Sequence, residues 1–415
     1  MRCGAWRGAP FLPEVSLSLS PLKIHPTILL MACAHMMVDG YGNIYAPLLP
    51  LLIPKMHLSL AAAGTLTMLF QIAASVAQVG FGWLADRWRP RLLVMVGPVV
   101  SVTVLSMIGL ANTPVMLGAI LFAGGLGAAA FHPPAAALAH RLGGDRPGFA
   151  MSVYITGGTL GFSLGPLMFA PLAERIGLEW TPILALPGLA VVAFFLSRVP
   201  QLQVHAKSGR GLRALRPYAR PLGLLYTIVV LRTFTSLGFA TFVPVMLTRR
   251  GYSVAQAGTA VAIYLFASGL GGFLGGAAAD RFGARRVIAL SLVFSTPFML
   301  GAALISTGWV FVALMAVGGL FLQSTLPVNV TFGQSLAPVS AATVSSLMMG
   351  FAWGTGGLSV PFVGLIADRV GIEPTLAGLS LVPLLAAALT LPLPRHARAL
   401  PVSGPADVVV PEARP

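Results

Sequence analysis

The sequence predicts an all-α polytopic membrane protein, with twelve transmembrane helices in two pseudo-symmetric six-helix bundles. Three observations carry this. Only 9% of the 415 residues are charged, against roughly 25% in soluble domains. Residues 287–367 form a run of 81 positions without one Asp, Glu, Lys or Arg, and residues 92–140 form another of 49. An acid–Arg pair also recurs four times at paired spacings, around a basic gap near the middle of the chain.

A helix needs about 20 apolar residues to cross the hydrocarbon. Charges and Gly, Pro or Asn breaks divide the chain into candidate spans at 27–53, 60–85, 91–111, 114–138, 148–172 and 180–197. Six more follow at 222–247, 255–279, 286–306, 309–336, 341–366 and 373–394, with Pro327 weakening the tenth. Segment 198–221 holds six basic residues and reads as a cytoplasmic linker between bundles 27–197 and 222–394. The tails 1–26 and 395–415 are Pro-rich and expected to be cytoplasmic. Alternating the sides puts 20 of the 26 basic residues with the termini and 5 opposite, which predicts cytoplasmic ends in a bacterial-type inner membrane. Arg2 and Arg7 make a poor signal peptide, so the first span is expected to stay attached.

The +15 charge therefore encodes orientation, and no nucleic-acid partner is expected. Cys3 and Cys33 offer neither a disulfide framework nor metal spacing. No phosphate-binding loop, nucleophile elbow or metal-ligand motif occurs, so no enzyme, metal or cofactor is expected. Work across the membrane would draw on an ion gradient or on the solute's own.

The acid–Arg pairs are Asp86-Arg87, Glu174-Arg175, Asp280-Arg281 and Asp368-Arg369. The first and third lie 194 residues apart, as do the second and fourth. Pro133 shifted by 194 falls on Pro327. Three-helix units of opposite orientation nested in two parallel halves are the layout expected of an alternating-access transporter.

Gly276 to Arg286, including Asp280, Arg281 and Arg285, resembles the loop motif of the major facilitator superfamily. Gly82 to Arg91 is a second copy that carries Arg89 and Pro90 where Gly and Arg are usual. The resemblance covers nearly the whole chain and implies that Asp86, Arg87, Arg91, Asp280, Arg281 and Arg285 act in conformational gating. Gly157, Gly161, Gly165 and Pro166 in the fifth span are similar to the motif that the superfamily's antiporters carry there. Glycines four apart form a face that another helix can approach closely. Segments 35–52, 125–135, 333–338 and 348–357 resemble the fosmidomycin-resistance-like branch, which implies a drug or metabolite exporter.

Asp39 is the one acid within a span and Arg232 the one base. An ionisable group at mid-bilayer costs at least about 2.5 kcal/mol, so each marks a functional site. His35, Asp39 and Asn43 recur four apart on one helix face. Asp39 shifted by 194 falls one residue from Arg232, which predicts that both face a central cavity, the carboxylate and guanidinium meeting there. Asp39, His35 and His132 are the expected proton-coupling residues. Arg232, Asn43, Tyr45, Gln71, Trp353 and Asn329 are the expected substrate contacts.

The function expected is secondary active transport of a small organic molecule, by proton antiport and in the efflux direction, in a monomer. Uptake of an organic anion through Arg232 is one alternative. A non-transporting sensor or assembly protein on the same fold is the other.

Overall fold

The computed structural model describes residues 26–85, 87–144, 147–199, 212–305, 308–337 and 341–394. Residues 1–25 and 395–415 of the expected tails, half of the expected linker (200–211) and Asp86 lie outside them. Ten of the described helices are long and apolar enough to cross a membrane, as lipid demands of a backbone that must satisfy its own polar groups.

In the N-terminal half, α1 (Pro26–Gly42) and α2 (Tyr45–Met56) together form the first span. The second runs through α3 (Leu60–Gln71), a π turn (Ile72–Val76) and α4 (Ala77–Ala85). α5 (Pro90–Ser106), α6 (Pro114–Leu142), α7 (Pro147–Ile176) and α8 (Ala185–Leu196) complete the six. The C-terminal half has α9 (Ala219–Arg249), α10 (Val254–Phe282), α11 (Ala284–Ile305) and α12 (Gly308–Leu336). Its eleventh span is α13 (Ala341–Ser345), a second π turn (Ser346–Phe351), α14 (Ala352–Gly357) and α15 (Val360–Val370), and its last is α16 (Ile372–Leu379) with α17 (Val382–Ala388).

Two of the expected spans are broken, and one expected weak point is not. The first span breaks after Gly42, where Asn43 Nδ2 donates to the Asp39 carbonyl and competes with the helix ladder. The last span is likewise two short helices. Pro327 does not interrupt the tenth span, which runs unbroken from Gly308 to Leu336.

The apolar core is shared unequally along the membrane normal. At the end where α3 and α10 begin, one buried cluster joins both halves, from Leu48 and Leu60 to Phe239, Val261 and Leu376. At the opposite end, where residues 198–199 and 212–221 of the expected linker lie, the core divides. Met31, Phe131 and Phe195 belong to a cluster of the N-terminal half, and Leu225, Leu292 and Phe332 to one of the C-terminal half. The halves are thus packed together at the far end and separate at the linker end. Exposed Trp309, Val115 and Phe362 face outward, as a lipid-facing surface requires.

Candidate functional site

Helical spacing stacks His35 directly before Asp39 on α1, and α6 brings His132 against the same carboxylate. His35 Nε2 lies 3.1 Å from Asp39 Oδ2, and His132 Nε2 lies 3.1 Å from Asp39 Oδ1. Each imidazole points its other nitrogen at a backbone carbonyl, His35 at Tyr154 (2.8 Å) and His132 at Ala128 (2.6 Å). A carbonyl only accepts, so each Nδ1 carries a proton. Each Nε2 then faces a carboxylate oxygen, a contact that a proton on either partner would turn into a hydrogen bond. Their ligand-type atoms all lie within 4.8 Å, a spacing a metal ion could bridge. These contacts engage every ring nitrogen and both carboxylate oxygens.

The Tyr154 ring stacks on His35 with centroids 4.2 Å apart. Gly158, one turn further along α7, leaves the room: a Cβ there would sit 2.5 Å from both Asp39 Oδ2 and His35 Nε2.

Arg232 on α9 is fully buried. It donates to Gln323 Oε1 on α12 and, at 3.0 Å, to Thr233 Oγ1, while its guanidinium lies 5.3 Å from the Trp353 ring centre. Its Nε has no partner. Asp39 and Arg232 therefore do not meet, contrary to the sequence expectation. Two histidines, uncounted in the formal charge, supply the partners of Asp39, and neutral groups surround Arg232.

The other expected substrate contacts are dispersed. Asn43 caps the break in the first span. Tyr45 donates to the Ala63 carbonyl at 3.0 Å within the packing of α2 on α3. Gln71 precedes the first π turn and lies against Gly357 of the opposite half. Asn329 is fully buried on α12, with both amide atoms unpartnered.

Of the expected gating residues, Gly157, Gly161 and Gly165 press against the backbone of Ala32, Met36 and Gly40, packing α7 onto α1 inside one half. Pro166 faces Gly258 of α10 and so lies between halves. Arg87, in the turn after α4, stacks on Trp83 of that helix, 4.4 Å from the ring centre. Arg91 Nε is unpartnered, and Arg281 lies over Phe282. Arg285 donates to the Leu391 carbonyl at 2.6 Å within its own half. Asp280 is exposed and has no hydrogen-bond partner among the described residues.

Cross-half ties form instead at the far end, through the other two acids of the repeat. Both Asp368 oxygens accept from the backbone N–H groups of Leu60 and Ala61, each at 2.9 Å. Both Glu174 oxygens accept from Val254 and Ala255, also at 2.9 Å. The first N–H groups of a helix lack partners inside it and carry partial positive charge, so a carboxylate there is favourable. Ser59 and Ser253 cap the next N–H of each helix, at 3.1 Å. Gly177 and Gly371, at φ 95° and 97°, end α7 and α15 just after the two acids, in a conformation open chiefly to glycine. The repeat itself marked these acids, but nothing local in the sequence shows which helix each one reaches.

Comparison with known proteins accounts for this architecture. The family model described as Major Facilitator Superfamily matches residues 29–258 and 224–411. An uncharacterised MFS-type transporter of Bacillus subtilis, YfnC, is 29% identical over 90% of this chain and 94% of its own length. The fosmidomycin resistance protein of Escherichia coli is 29% identical over 88% of this chain and 92% of its own. Among solved structures, an inward-facing, unoccupied bacterial homologue of the human lysosomal transporter Spinster superposes with a TM-score of 0.73, at 18% identity, over 89% of this chain and 97% of its own. The chain belongs to the Major Facilitator Superfamily and, within it, resembles the fosmidomycin-resistance branch: it is an integral membrane transporter, not an enzyme.

Proposed function

We propose that the chain exports a small organic molecule by proton antiport, working as a monomer through alternating access. The observation that carries this is the His35–Asp39–His132 cluster. A buried carboxylate held between two imidazoles is a group that can store and release protons, and it lies on α1 and α6, helices that pack inside one half. His132 keeps 21% of its side chain exposed, against 10% for Asp39, and is the member through which a proton would enter or leave.

Alternation is supported by the uneven core and by the two carboxylate caps. With the basic linker and both termini on the cytoplasmic side of a bacterial-type inner membrane, as their charge suggests, the described state is closed outward and parted inward. Glu174 and Asp368 act as the outer locks. Asp86, Arg87, Arg91, Asp280, Arg281 and Arg285 would engage once the inner end closes. The Escherichia coli relative is named for drug resistance, which favours export. Kinship with transporters sets aside the sensor reading.

The test is fosmidomycin flux in proteoliposomes with an imposed pH gradient. Wild type is expected to accumulate the drug against its gradient in exchange for protons, and Asp39→Asn to lose at least a hundredfold of that driven flux. Undiminished driven accumulation by Asp39→Asn would remove the carboxylate from the coupling role.

A further inference from the structure

Arg232 is a cation without a counter-charge. It is fully buried, and no carboxylate lies within salt-bridge distance among the described residues. Its five N–H donors find two acceptors, the Gln323 amide oxygen and the Thr233 hydroxyl, both neutral. Thr233 spends its own proton on the Val229 carbonyl, so its oxygen serves Arg232 purely as acceptor. Nε has none. One face of the guanidinium is covered by Trp353.

Asn329, buried on α12 with neither amide atom bonded, adds a second unsatisfied group to the same half. It lies one turn from Gly333, where a Cβ would meet Val344 of α13 first and Leu225 and Leu222 of α9 next, so this stretch of α12 borders Arg232's helix. Buried charges are ordinarily paired, and an unpaired one left in place marks a site that something else completes.

We propose that Arg232 is the anion-binding group of the transport site, and that the transported solute carries a carboxylate, sulfonate or phosphonate. This rests on the reading of the chain as a solute transporter, but on neither direction nor proton coupling. The anion takes the place of the Gln323 oxygen on Arg232, uses the open Nε–H, and stacks any flat portion near Trp353. Arg is suited to this, since its planar fork meets two oxygens of such a group at once. Gln323 is then a neutral stand-in that keeps the guanidinium oriented while the site is empty.

The experiment uses the purified full chain in nanodiscs at one fixed pH, with no gradient, so its outcome is independent of the flux test above. Benzoate, benzamide and benzamidine serve as anionic, neutral and cationic probes of nearly one shape, with methylphosphonate as a second anion. Saturable thermal stabilisation is expected with the two anions and not with benzamide or benzamidine. Arg232→Met is expected to weaken the anion response about thirtyfold or more, the lower range for truncating one partner of a buried charge pair. Without probe, Arg232→Met is expected to melt no lower than wild type, because it removes an unpaired charge. Arg232→Lys keeps the charge without the fork, and should retain a weakened anion response. Equal stabilisation by benzamide, an anion response unchanged in Arg232→Met, or a probe-free Arg232→Met that melts well below wild type would each overturn the proposal, the last by showing a purely structural arginine.

Discussion

Near position 39 the N-terminal half buries an acid between two imidazoles, whereas the matching stretch of the C-terminal half buries an arginine among neutral groups. The 194-residue repeat aligns His35 with Val229, His132 with Leu326 and Gly158 with Ala352. One scaffold has thus been fitted with a self-sufficient charged cluster on one side and an incomplete one on the other. At the far end the halves remain alike, since Glu174 and Asp368 cap their opposite helices at the same 2.9 Å. Differences between halves are therefore concentrated where solute and proton would bind, and likeness where the helices must dock.

The sharpest way to break the contrast is at Gly158. Adding a methyl there drives it against Asp39 Oδ2 and His35 Nε2, which lie 3.1 Å from each other, whereas the aligned Ala352 is accommodated in a half that lacks the cluster. Gly158→Ala should cost about 1–3 kcal/mol through overpacking and reduce driven flux as severely as loss of Asp39. Melting temperature and flux, measured together, check it. A fully active, stable Gly158→Ala would mean that the His35–Asp39 contact is dispensable.

Next in size come the two far-end locks. Glu174→Gln and Asp368→Asn each weaken two charge-assisted bonds to backbone N–H groups, with an expected cost of roughly 1.5–3 kcal/mol to the far-end-closed state. Spin-label distances across α3 and α15, and across α7 and α10, should lengthen at that end in both variants and furthest in the double variant. Because the geometries match, the single effects should match. A response confined to one of them would show that the two locks are not equivalent.

Much of this was legible before any coordinates. Charge-free runs gave the spans, and the four acid–Arg pairs gave the repeat, because a bilayer tolerates so few acids that their spacing stands out. His35 and Asp39 were visible as neighbours from helical spacing alone. What could not be read was tertiary. His132 lies 93 residues from Asp39, and Gln323 lies 91 from Arg232, with no sequence pattern linking either pair. The 194-residue repeat pointed to Asp39 with Arg232; instead Asp39 lies between two histidines, which the formal charge does not count, and Arg232 finds only neutral acceptors. The break in the first span depends on Asn43 turning back to the Asp39 carbonyl, a choice a polar side chain makes only in context.

The smallest predicted effect compares the two copies of the linker-end loop. Arg89 takes φ 24°, in the left-handed region, with no side-chain cap to the helix it precedes. The aligned residue of the other half is Gly283, at φ 87°. A side chain in that region costs roughly 1–2 kcal/mol, while glycine adds back up to about 1 kcal/mol of chain entropy on folding. Arg89→Gly should therefore stabilise the protein by about 1 kcal/mol or less, seen as a small rise in melting temperature, and Gly283→Arg should destabilise it. Because Arg89 also carries a charge at the linker end, Arg89→Lys separates charge from conformation: it keeps the charge and the strain, and should melt like wild type. If Arg89→Gly instead lowers the melting temperature, the arginine contributes a contact at the linker end that outweighs its backbone cost.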